Sequence, residues 1–212
     1  MVGGEDCLFN PAEAFVFGGA VLLHDAGMTL SAYPRRLDDL RDTVEWRDIV
    51  ASLLQQSGVE SPTESLIREP PEELVAQAVP EVLRIRHALH AERLATMSWP
   101  MPGANTEEHL IDDVDLREFY GPTIGIIARS HWLPISSLES ALPKTIGAIG
   151  KAPTDWVVDP LKLACLLRTA DAVHVDERRA PRFLRTLLTH LRQLGRVSGS
   201  ESRRFPSLNF SN

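Results

Sequence analysis

Two strong metal ligands, His24 and Asp25, stand side by side at the end of the apolar segment AEAFVFGGAVLL. Imidazole and carboxylate together suit Mn, Fe, Co, Ni, Zn or Mg. Neighbouring side chains on a helix point about 100° apart, so both reach one ion only where the helix ends at a cavity. Gly27 predicts such an end. A lone His-Asp pair is more often solvated at a helix terminus, so a metal site needs partners elsewhere in the chain.

Three further histidines are candidate partners. His87 and His90 are three residues apart, which places them on one side of a helix. With Arg86 nearby they would bind a metal or a phosphate group, or they form an ordinary polar helix surface. His131 follows the apolar run TIGIIARS. It would ligate a metal, or it is stabilised as a cation by the dipole at a helix C-terminus.

Asp171 interrupts the otherwise apolar stretch LKLACLLRTADAV. A carboxylate on a buried helix is costly unless it is paired or bound to a cation. Arg168, three residues earlier, is one candidate partner, and a metal ion is the other. The sequence contains no phosphate-binding loop, dinucleotide-binding glycine pattern or nucleophile elbow that would suggest a different chemistry.

The overall composition is that of a soluble globular protein, with 43% hydrophobic and 24% charged residues. The formal net charge of −7 gives no reason to expect general nucleic-acid binding. Cys7 and Cys165 match no zinc or redox spacing, so we expect a reduced, cytoplasmic protein. The strongly apolar run over residues 14–23 is too short to span a bilayer, and we expect no membrane partner.

Helical patterns must position these groups. Helices are predicted over residues 11–25, 35–58, 71–99 with a kink or a restart at Pro80, 115–132 as one helix or a pair divided at Pro122, 137–142, 160–176 and 180–195. We find no alternating strand pattern of useful length. The predicted fold is therefore all-α, a single-domain helical bundle over residues 1–195, followed by a flexible polar tail over residues 196–212.

Four segments resemble the HD superfamily of metal-dependent phosphohydrolases, and in particular its bacterial HD domains. They are, in order, EAFVFGGAVLLHDAGM, IRHALHAERLA, GIIARSHW and CLLRTADAVHVDERRAP, and the resemblance covers roughly residues 10–185. It implies an all-α bundle that holds one or two divalent metal ions. The implied activity is hydrolysis of a phosphomonoester, phosphodiester or nucleotide by metal-activated water.

The resemblance also implies a role for each candidate ligand. His24 and Asp25 match the defining doublet, with Asp25 also catalytic and able to bridge two ions. Asp171 matches the distal aspartate of the first metal site. His90 and His131 match the histidines that hold a second ion, with His87 as the alternative to His90.

Arginines complete the implied site. Arg168 is implied as a catalytic contact to the substrate phosphate or as a structural partner of the acids, and Arg93 and Arg179 are further candidates for these roles. The family also places one more histidine ligand on a helix before the doublet, but no histidine precedes His24. We therefore expect either part of a longer protein or a site that lacks one ligand.

The missing histidine suggests an alternative function. A catalytically impaired HD-type domain would sense a nucleotide or dock onto a partner. The absent helix would leave an apolar surface near Phe15 and Phe17, which a second copy or a partner protein would cover.

Overall fold

A computed structural model describes residues 9–101, 103, 106–150 and 152–173. This part of the chain is mostly helical, so the all-α prediction is confirmed. Its α-helices are α1 (Pro11–Leu23), α2 (Leu37–Arg41), α3 (Val44–Gln56), α4 (Glu64–Arg68), α5 (Glu72–Leu94), α6 (Val114–Ser130), α7 (Leu138–Ala141) and α8 (Pro160–Val173). Two short strands, β1 (Ser98–Pro100) and β2 (Glu107–His109), pair antiparallel.

The chain divides into two compact units, residues 1–170 and residues 171–212. The first unit holds α1 to α7 and most of α8. Of the second, the structure describes only the last residues of α8. The predicted helix over residues 180–195, the polar tail and Arg179 lie outside the described residues, so the predicted domain boundary at residue 195 stays a prediction.

Helix α1 begins and ends as its sequence indicates. The Asn10 side chain accepts a hydrogen bond of 3.0 Å from the Glu13 backbone N–H, and proline occupies the first turn. Both features favour a helix start. The helix ends at Leu23, and a 3₁₀ turn over Ala26–Met28 follows. His24 and Asp25 therefore lie at the junction of helix and turn.

The helix predicted over residues 35–58 is two helices, α2 and α3. Thr43 separates them, because its backbone is extended and its hydroxyl accepts a 3.2 Å hydrogen bond from the Trp46 N–H. This is an N-cap that starts a new helix. The apolar spacing is helical on both sides of Thr43, and the pattern therefore concealed the break.

Neither of the two prolines divides its helix, so the alternatives of a restart at Pro80 and of a helix pair at Pro122 are wrong. Helix α5 continues through Pro80, and α6 continues through Pro122. Both prolines are exposed. A proline removes one helical hydrogen bond, and on the outward face water can satisfy the carbonyl left without a partner. The two helices therefore tolerate their prolines.

Two apolar cores stabilise the first unit, and α5 takes part in both. Ala78, Val82 and Leu83 pack with residues of α2, α3 and α4. Ala91, on the last turns of α5, packs with α1, α6, α7 and α8. The part of α5 between these contacts carries His87, so this histidine lies where the two cores meet.

The β1–β2 hairpin lies in a segment that was predicted as a loop. Each strand is only three residues long, with Trp99 opposite Glu108. Three residues are too few to display an alternating pattern. Among the described helices, none combines the length and the apolar character needed to cross a membrane.

Candidate metal centre

Three side chains converge where α1, α5 and α6 meet. The His87 Nε2 and His131 Nε2 atoms are 3.0 Å apart. The Asp25 Oδ1 atom lies 3.8 Å from the first and 3.9 Å from the second. One ligand atom from each residue thus lies within 4.8 Å of the others, an arrangement that could hold a metal ion.

Local backbone structure brings Asp25 to this point. His24 caps α1, with its N–H bonded to the Ala20 carbonyl at 3.0 Å. Asp25 then begins the 3₁₀ turn. The turn redirects the chain, which allows the side chains of two consecutive residues to approach the same cluster. This agrees with the expectation that the doublet lies at a helix end.

Gly27 permits the close approach of this turn to α5. A Cβ atom at Gly27 would lie 2.5 Å from the His87 carbonyl oxygen and 2.8 Å from the His87 Cα. Real Cβ atoms do not approach backbone so closely. The sequence indicated Gly27 as a helix stop, but α1 ends earlier, at Leu23, and Gly27 lies inside the 3₁₀ turn without the positive φ of a glycine C-cap. Packing is what requires glycine here, since it lets the turn that carries Asp25 lie against the backbone of His87.

Helix α6 delivers His131 at its C-terminal end, and Arg168 holds that end. The Arg168 Nη1 atom donates to the Ser130 carbonyl and, at 2.8 Å, to the Leu133 carbonyl. The Ser130 carbonyl is one that the C-terminus of α6 leaves without a helical partner, and Leu133 lies just beyond the end of the helix. The guanidinium is therefore engaged with the backbone on both sides of His131, a contact that favours a positioning role.

Three histidines at the site share one tautomer. His24 Nδ1 contacts the Val21 carbonyl at 2.7 Å, and His87 Nδ1 contacts the Arg84 carbonyl at 2.6 Å. His131 Nδ1 likewise contacts the carbonyl of Ala128, three residues earlier in the sequence, at 2.6 Å. A carbonyl oxygen only accepts, so each Nδ1 carries the hydrogen. In the neutral rings each Nε2 then presents a lone pair, the arrangement of metal-bound histidines whose second nitrogen is held by a carbonyl.

The contact between the two Nε2 atoms is compatible with a shared proton or a bound metal ion. Two neutral rings with hydrogen on Nδ1 would face each other through lone pairs at 3.0 Å, which is repulsive. Either a shared proton or a metal ion relieves that repulsion. Two nitrogens bound to one tetrahedral zinc at ~2.0–2.1 Å lie about 3.3 Å apart, close to the observed spacing of His87 and His131.

Burial favours the neutral form of His131. Desolvation is the main cause that lowers its pKa below the ordinary value, and the nearby His87 and His24 rings lower it further. The hydrogen bond to the Ala128 carbonyl and the Asp25 carboxylate act in the opposite direction but do not prevail. A neutral imidazole is the form that binds a metal, so the environment prepares His131 for this role.

His24 lies at the edge of the cluster. Its Nε2 atom is 3.5 Å from Asp25 Oδ2, and its ring lies edge-on to that of His131 with centroids 5.4 Å apart. Its side chain is partly exposed, as is that of Asp25. Both members of the predicted doublet therefore reach the cluster from the solvent side, while His87 and His131 are buried beneath them.

His90 lies elsewhere. Its Nε2 atom contacts the Ala32 carbonyl at 2.9 Å, and its ring stacks on Tyr33 with centroids 3.7 Å apart. Residues three apart on a helix differ by about 60° in direction, which separates His90 from His87. Of these two alternatives, the structure brings His87 to Asp25 and His131. The sequence carried no signal that distinguished them.

Two further predicted residues, Asp171 and Arg93, lie on α8 and α5. Asp171 is half-buried on the last turn of α8 and belongs to the second compact unit. Its ligand role stays a prediction. Arg93 is exposed on α5.

Trp132 is a residue of the site that the sequence analysis missed. Its ring meets that of His87 edge-on, with centroids 5.0 Å apart, while 58% of its surface is exposed. Its position directly after His131 was the available signal. An exposed aromatic ring against a buried candidate ligand shields one side of the cluster from water.

Comparison of the chain with known protein families gives one match. The family model HD-CE matches residues 2–204, almost the whole chain. No curated protein and no solved structure is significantly similar to the chain.

Proposed function

From the premise that this chain belongs to the HD-CE family, an HD-type domain family, we propose that it is a metal-dependent phosphohydrolase. Its metal would be held by Asp25, His87 and His131. The observation that carries the proposal is the 3.0 Å approach of two Nε2 atoms beside a carboxylate.

The donor set fits a first-row divalent ion. Two imidazole nitrogens and one carboxylate oxygen suit Zn, Fe, Co, Ni or Mn better than Mg, which prefers oxygen ligands only. Three protein ligands with further positions open to water are typical of catalytic rather than structural zinc sites. His24, 3.5 Å from Asp25, is the nearest further donor on the solvent side.

A metal ion bound here would lower the pKa of a coordinated water and supply hydroxide near neutral pH. Side chains of the protein would orient this water and accept its proton. Asp25 has one oxygen towards the two buried histidines and the other towards His24. It is therefore placed to accept a hydrogen bond from the attacking water and to orient it. This assignment makes Asp25 both a ligand and a catalytic residue.

His24 is placed to accept and donate a proton. Its Nδ1–H is held by the Val21 carbonyl, so its Nε2 lone pair is available next to the Asp25 carboxylate. In this proposal His24 accepts the proton of the attacking water or returns it to the leaving oxygen, as a general acid–base group does. Its partial exposure gives the substrate access to that nitrogen.

The substrate class follows from the family resemblance and the chemistry of the donors. A phosphomonoester, a phosphodiester or a nucleotide would present a phosphoryl oxygen to the cation, whose charge stabilises the developing negative charge. Arg168 is engaged with backbone carbonyls, so we assign it to positioning His131 instead of the catalytic contact expected from the sequence.

Metal analysis and a generic phosphodiesterase assay test the proposal. Purified chain is stripped with chelator, loaded with Mn²⁺ or Zn²⁺, and assayed on bis(p-nitrophenyl) phosphate. We expect about one tightly bound ion per chain and hydrolysis that depends on it. Asp25→Asn should weaken metal binding by roughly tenfold or more and abolish turnover. The control Asp48→Asn alters an exposed carboxylate on α3 and should change neither.

Unchanged metal content in Asp25→Asn would refute the site. Metal binding without hydrolysis of any phosphoester would instead support the alternative, a catalytically impaired domain that senses a nucleotide or docks onto a partner. One feature favours that alternative, namely the exposure of Phe15, Val21 and Leu22 on α1, which leaves an apolar surface on this helix.

A further inference from the structure

Trp132 differs from the other tryptophans of this chain in its exposure to solvent. Trp46 is fully buried, and Trp99 and Trp156 are half-buried. In contrast, 58% of the surface of Trp132 is exposed. A flat ring cannot reach this exposure with both of its faces covered. The Trp132 indole is therefore a large apolar surface with one face open to another molecule.

Two contacts fix the place of this indole. The Trp132 backbone N–H donates to the Arg129 carbonyl at 3.1 Å and continues the last turn of α6. The ring meets that of His87 at an interplanar angle of 81°, with centroids 5.0 Å apart. This edge-to-face geometry is one that aromatic pairs prefer. The open face thus belongs to a side chain that is anchored on a proposed metal ligand.

The same indole adjoins the proposed metal centre. Trp132 directly follows His131 in the sequence and contacts His87, so it lies next to both buried members of the cluster. A phosphate ester that is held at the cluster would have its organic group in this neighbourhood. The indole is therefore placed to contact the part of the substrate that the metal ion does not bind.

An open indole face favours a flat aromatic ring over an aliphatic group. Every nucleobase has such a face, and stacking on an aromatic side chain contributes to binding without hydrogen bonds to particular base edges. A cation site for the phosphate and an indole for the ring together match the two ends of a nucleotide.

We propose that Trp132 is a stacking platform, which selects phosphate esters that carry a planar aromatic ring, such as a nucleobase, over esters of non-aromatic alcohols. This inference rests on the proposed function, because it names the substrate class of the same metal centre. It narrows the three kinds of phosphate ester considered above to the nucleotide, and it makes Trp132 a specificity-determining residue.

Competition between two matched inhibitors tests this selection. AMP and ribose 5-phosphate share a sugar phosphate, and only AMP carries a base. Both are measured as competitive inhibitors of bis(p-nitrophenyl) phosphate hydrolysis by the Mn²⁺-loaded chain. We expect the wild type to bind AMP about fivefold or more tightly than ribose 5-phosphate. Trp132→Leu should bring the ratio of the two inhibition constants close to one, and Trp132→Phe should retain part of it.

This ratio separates stacking from mere support of His87. A disturbed His87 would weaken both inhibitors equally and leave the ratio unchanged. Phe119→Leu is the matched control, because Phe119 is an exposed aromatic residue on α6, about 18 Å along the helix from His131. It should keep the wild-type ratio. An unchanged ratio in Trp132→Leu, or an equal loss in Phe119→Leu, would overturn the platform.

Nuclear magnetic resonance tests the platform without metal or hydrolysis. Adenosine is titrated into the ¹⁵N-labelled, metal-free chain, with ribose as the matched probe that lacks a base. Trp132→Phe identifies the Trp132 indole N–H resonance. We expect adenosine to shift this resonance and ribose to leave it in place, and a resonance that adenosine does not shift would overturn the platform. Absence of Mn²⁺ binding would instead refute the proposed metal centre, while the adenosine result would stand independently.

Discussion

At the scale of single residues, the site depends on which of two histidines on α5 faces the cluster. His87 lies 3.0 Å from His131, whereas His90 bonds to the Ala32 carbonyl. Both are buried, so burial does not distinguish their roles. The direction in which each side chain points from the helix axis does distinguish their roles, and substitution of each histidine can test this assignment.

We predict opposite metal-binding results for the two histidines. His87→Gln removes a proposed ligand and should lower Mn²⁺ or Zn²⁺ affinity by roughly tenfold or more. His90→Gln removes the stack on Tyr33 and should lower stability while metal affinity stays near that of the wild type. Isothermal titration calorimetry of the two folded variants measures both affinities. A loss confined to His90→Gln would show that the cluster is wrongly assigned.

The burial of His90 also predicts how the free energy of unfolding depends on pH. Desolvation by burial lowers its pKa below the ordinary value, although the hydrogen bond to Ala32 opposes this. The unfolded chain, with an ordinary pKa of about 6.5, then binds more protons than the folded chain. This contribution to the free energy of unfolding is constant above pH ~6.5 and decreases as the pH falls towards the lower, folded-state pKa.

Urea denaturation at several pH values between 7.5 and 5 should therefore show the wild type losing stability as the pH falls. His90→Gln should lose less over the same interval, because it lacks the group that must be kept neutral. A variant with the same pH slope as the wild type would contradict the assignment. His131, whose pKa is also lowered, contributes to the slope that remains.

At the scale of helices, α5 and α6 pack closely because glycines allow it. A Cβ atom at Gly125 would lie 1.9 Å from the Glu92 carbonyl oxygen, and one at Gly121 would lie 2.7 Å from the Thr96 side chain. This close pairing fixes the distance between His87 on α5 and His131 at the end of α6. These glycines therefore help to set the distance between the two histidines of the cluster.

Gly125→Ala should force these helices apart. We expect a loss of about 1–3 kcal/mol or more in the free energy of unfolding, together with weaker metal binding. Gly18→Ala is the matched control, since a Cβ atom at this helical glycine meets nothing within 4 Å. It should raise stability by about 0.5–1 kcal/mol. Thermal and urea unfolding measure both, and equal effects of the two substitutions would refute the packing argument.

Arg168 offers a test of positioning against catalysis. Its hydrogen bonds hold the carbonyls of Ser130 and Leu133 around His131. Arg168→Met should therefore lower metal affinity and stability together, and Arg168→Lys should restore part of both because lysine can still donate to a carbonyl. A fall in kcat with unchanged metal affinity would favour the phosphate contact expected from the sequence.

At the scale of the whole first unit, an ion pair with one buried partner joins α1 and α8. Lys162 Nζ on α8 lies 2.5 Å from Glu13 Oε1 on α1, and the Glu13 side chain is almost fully buried. The carboxylate is the costlier partner to leave alone, because the lysine is one-third exposed and can be solvated.

We predict that substitution of the two partners lowers the free energy of unfolding by different amounts. Lys162→Met leaves the buried Glu13 carboxylate without its cation, with only the 3.4 Å hydrogen bond from the Asp159 N–H, and should lower the free energy of unfolding by about 2–3 kcal/mol. Glu13→Gln keeps a hydrogen-bonding group in place and should cost about 1 kcal/mol. Chemical denaturation of both variants at pH 7 tests the order, and a larger cost for Glu13→Gln would contradict it.

Self-association of the protein and its location in the cell both stay predictions. Of the two residues expected on the apolar surface for a partner, Phe15 is exposed on α1, whereas Phe17 packs against the core and stacks on Phe9. A second copy or a partner at this surface stays a prediction. Sedimentation analysis over a range of concentrations would detect a homo-oligomer. The expected cytoplasmic location likewise stays a prediction.

The sequence by itself determined the helical class, the start of α1 at Pro11 and the end of a helix next to His24 and Asp25, and it indicated His131 as a candidate ligand. These follow from local rules, since capping residues and apolar spacing act within a few positions along the chain. The resemblance added the expected chemistry in the same way, from short ordered segments.

Only the tertiary structure distinguished His87 from His90, gave Gly27 and Gly125 their packing roles, and engaged Arg168 with the end of α6. Each of these depends on the direction and distance of side chains on different helices. A periodic pattern shows which residues share a face, but it does not fix the rotation of a helix relative to neighbours distant in sequence. That rotation is set by how the helices pack, and it decided which imidazole reached the carboxylate of Asp25.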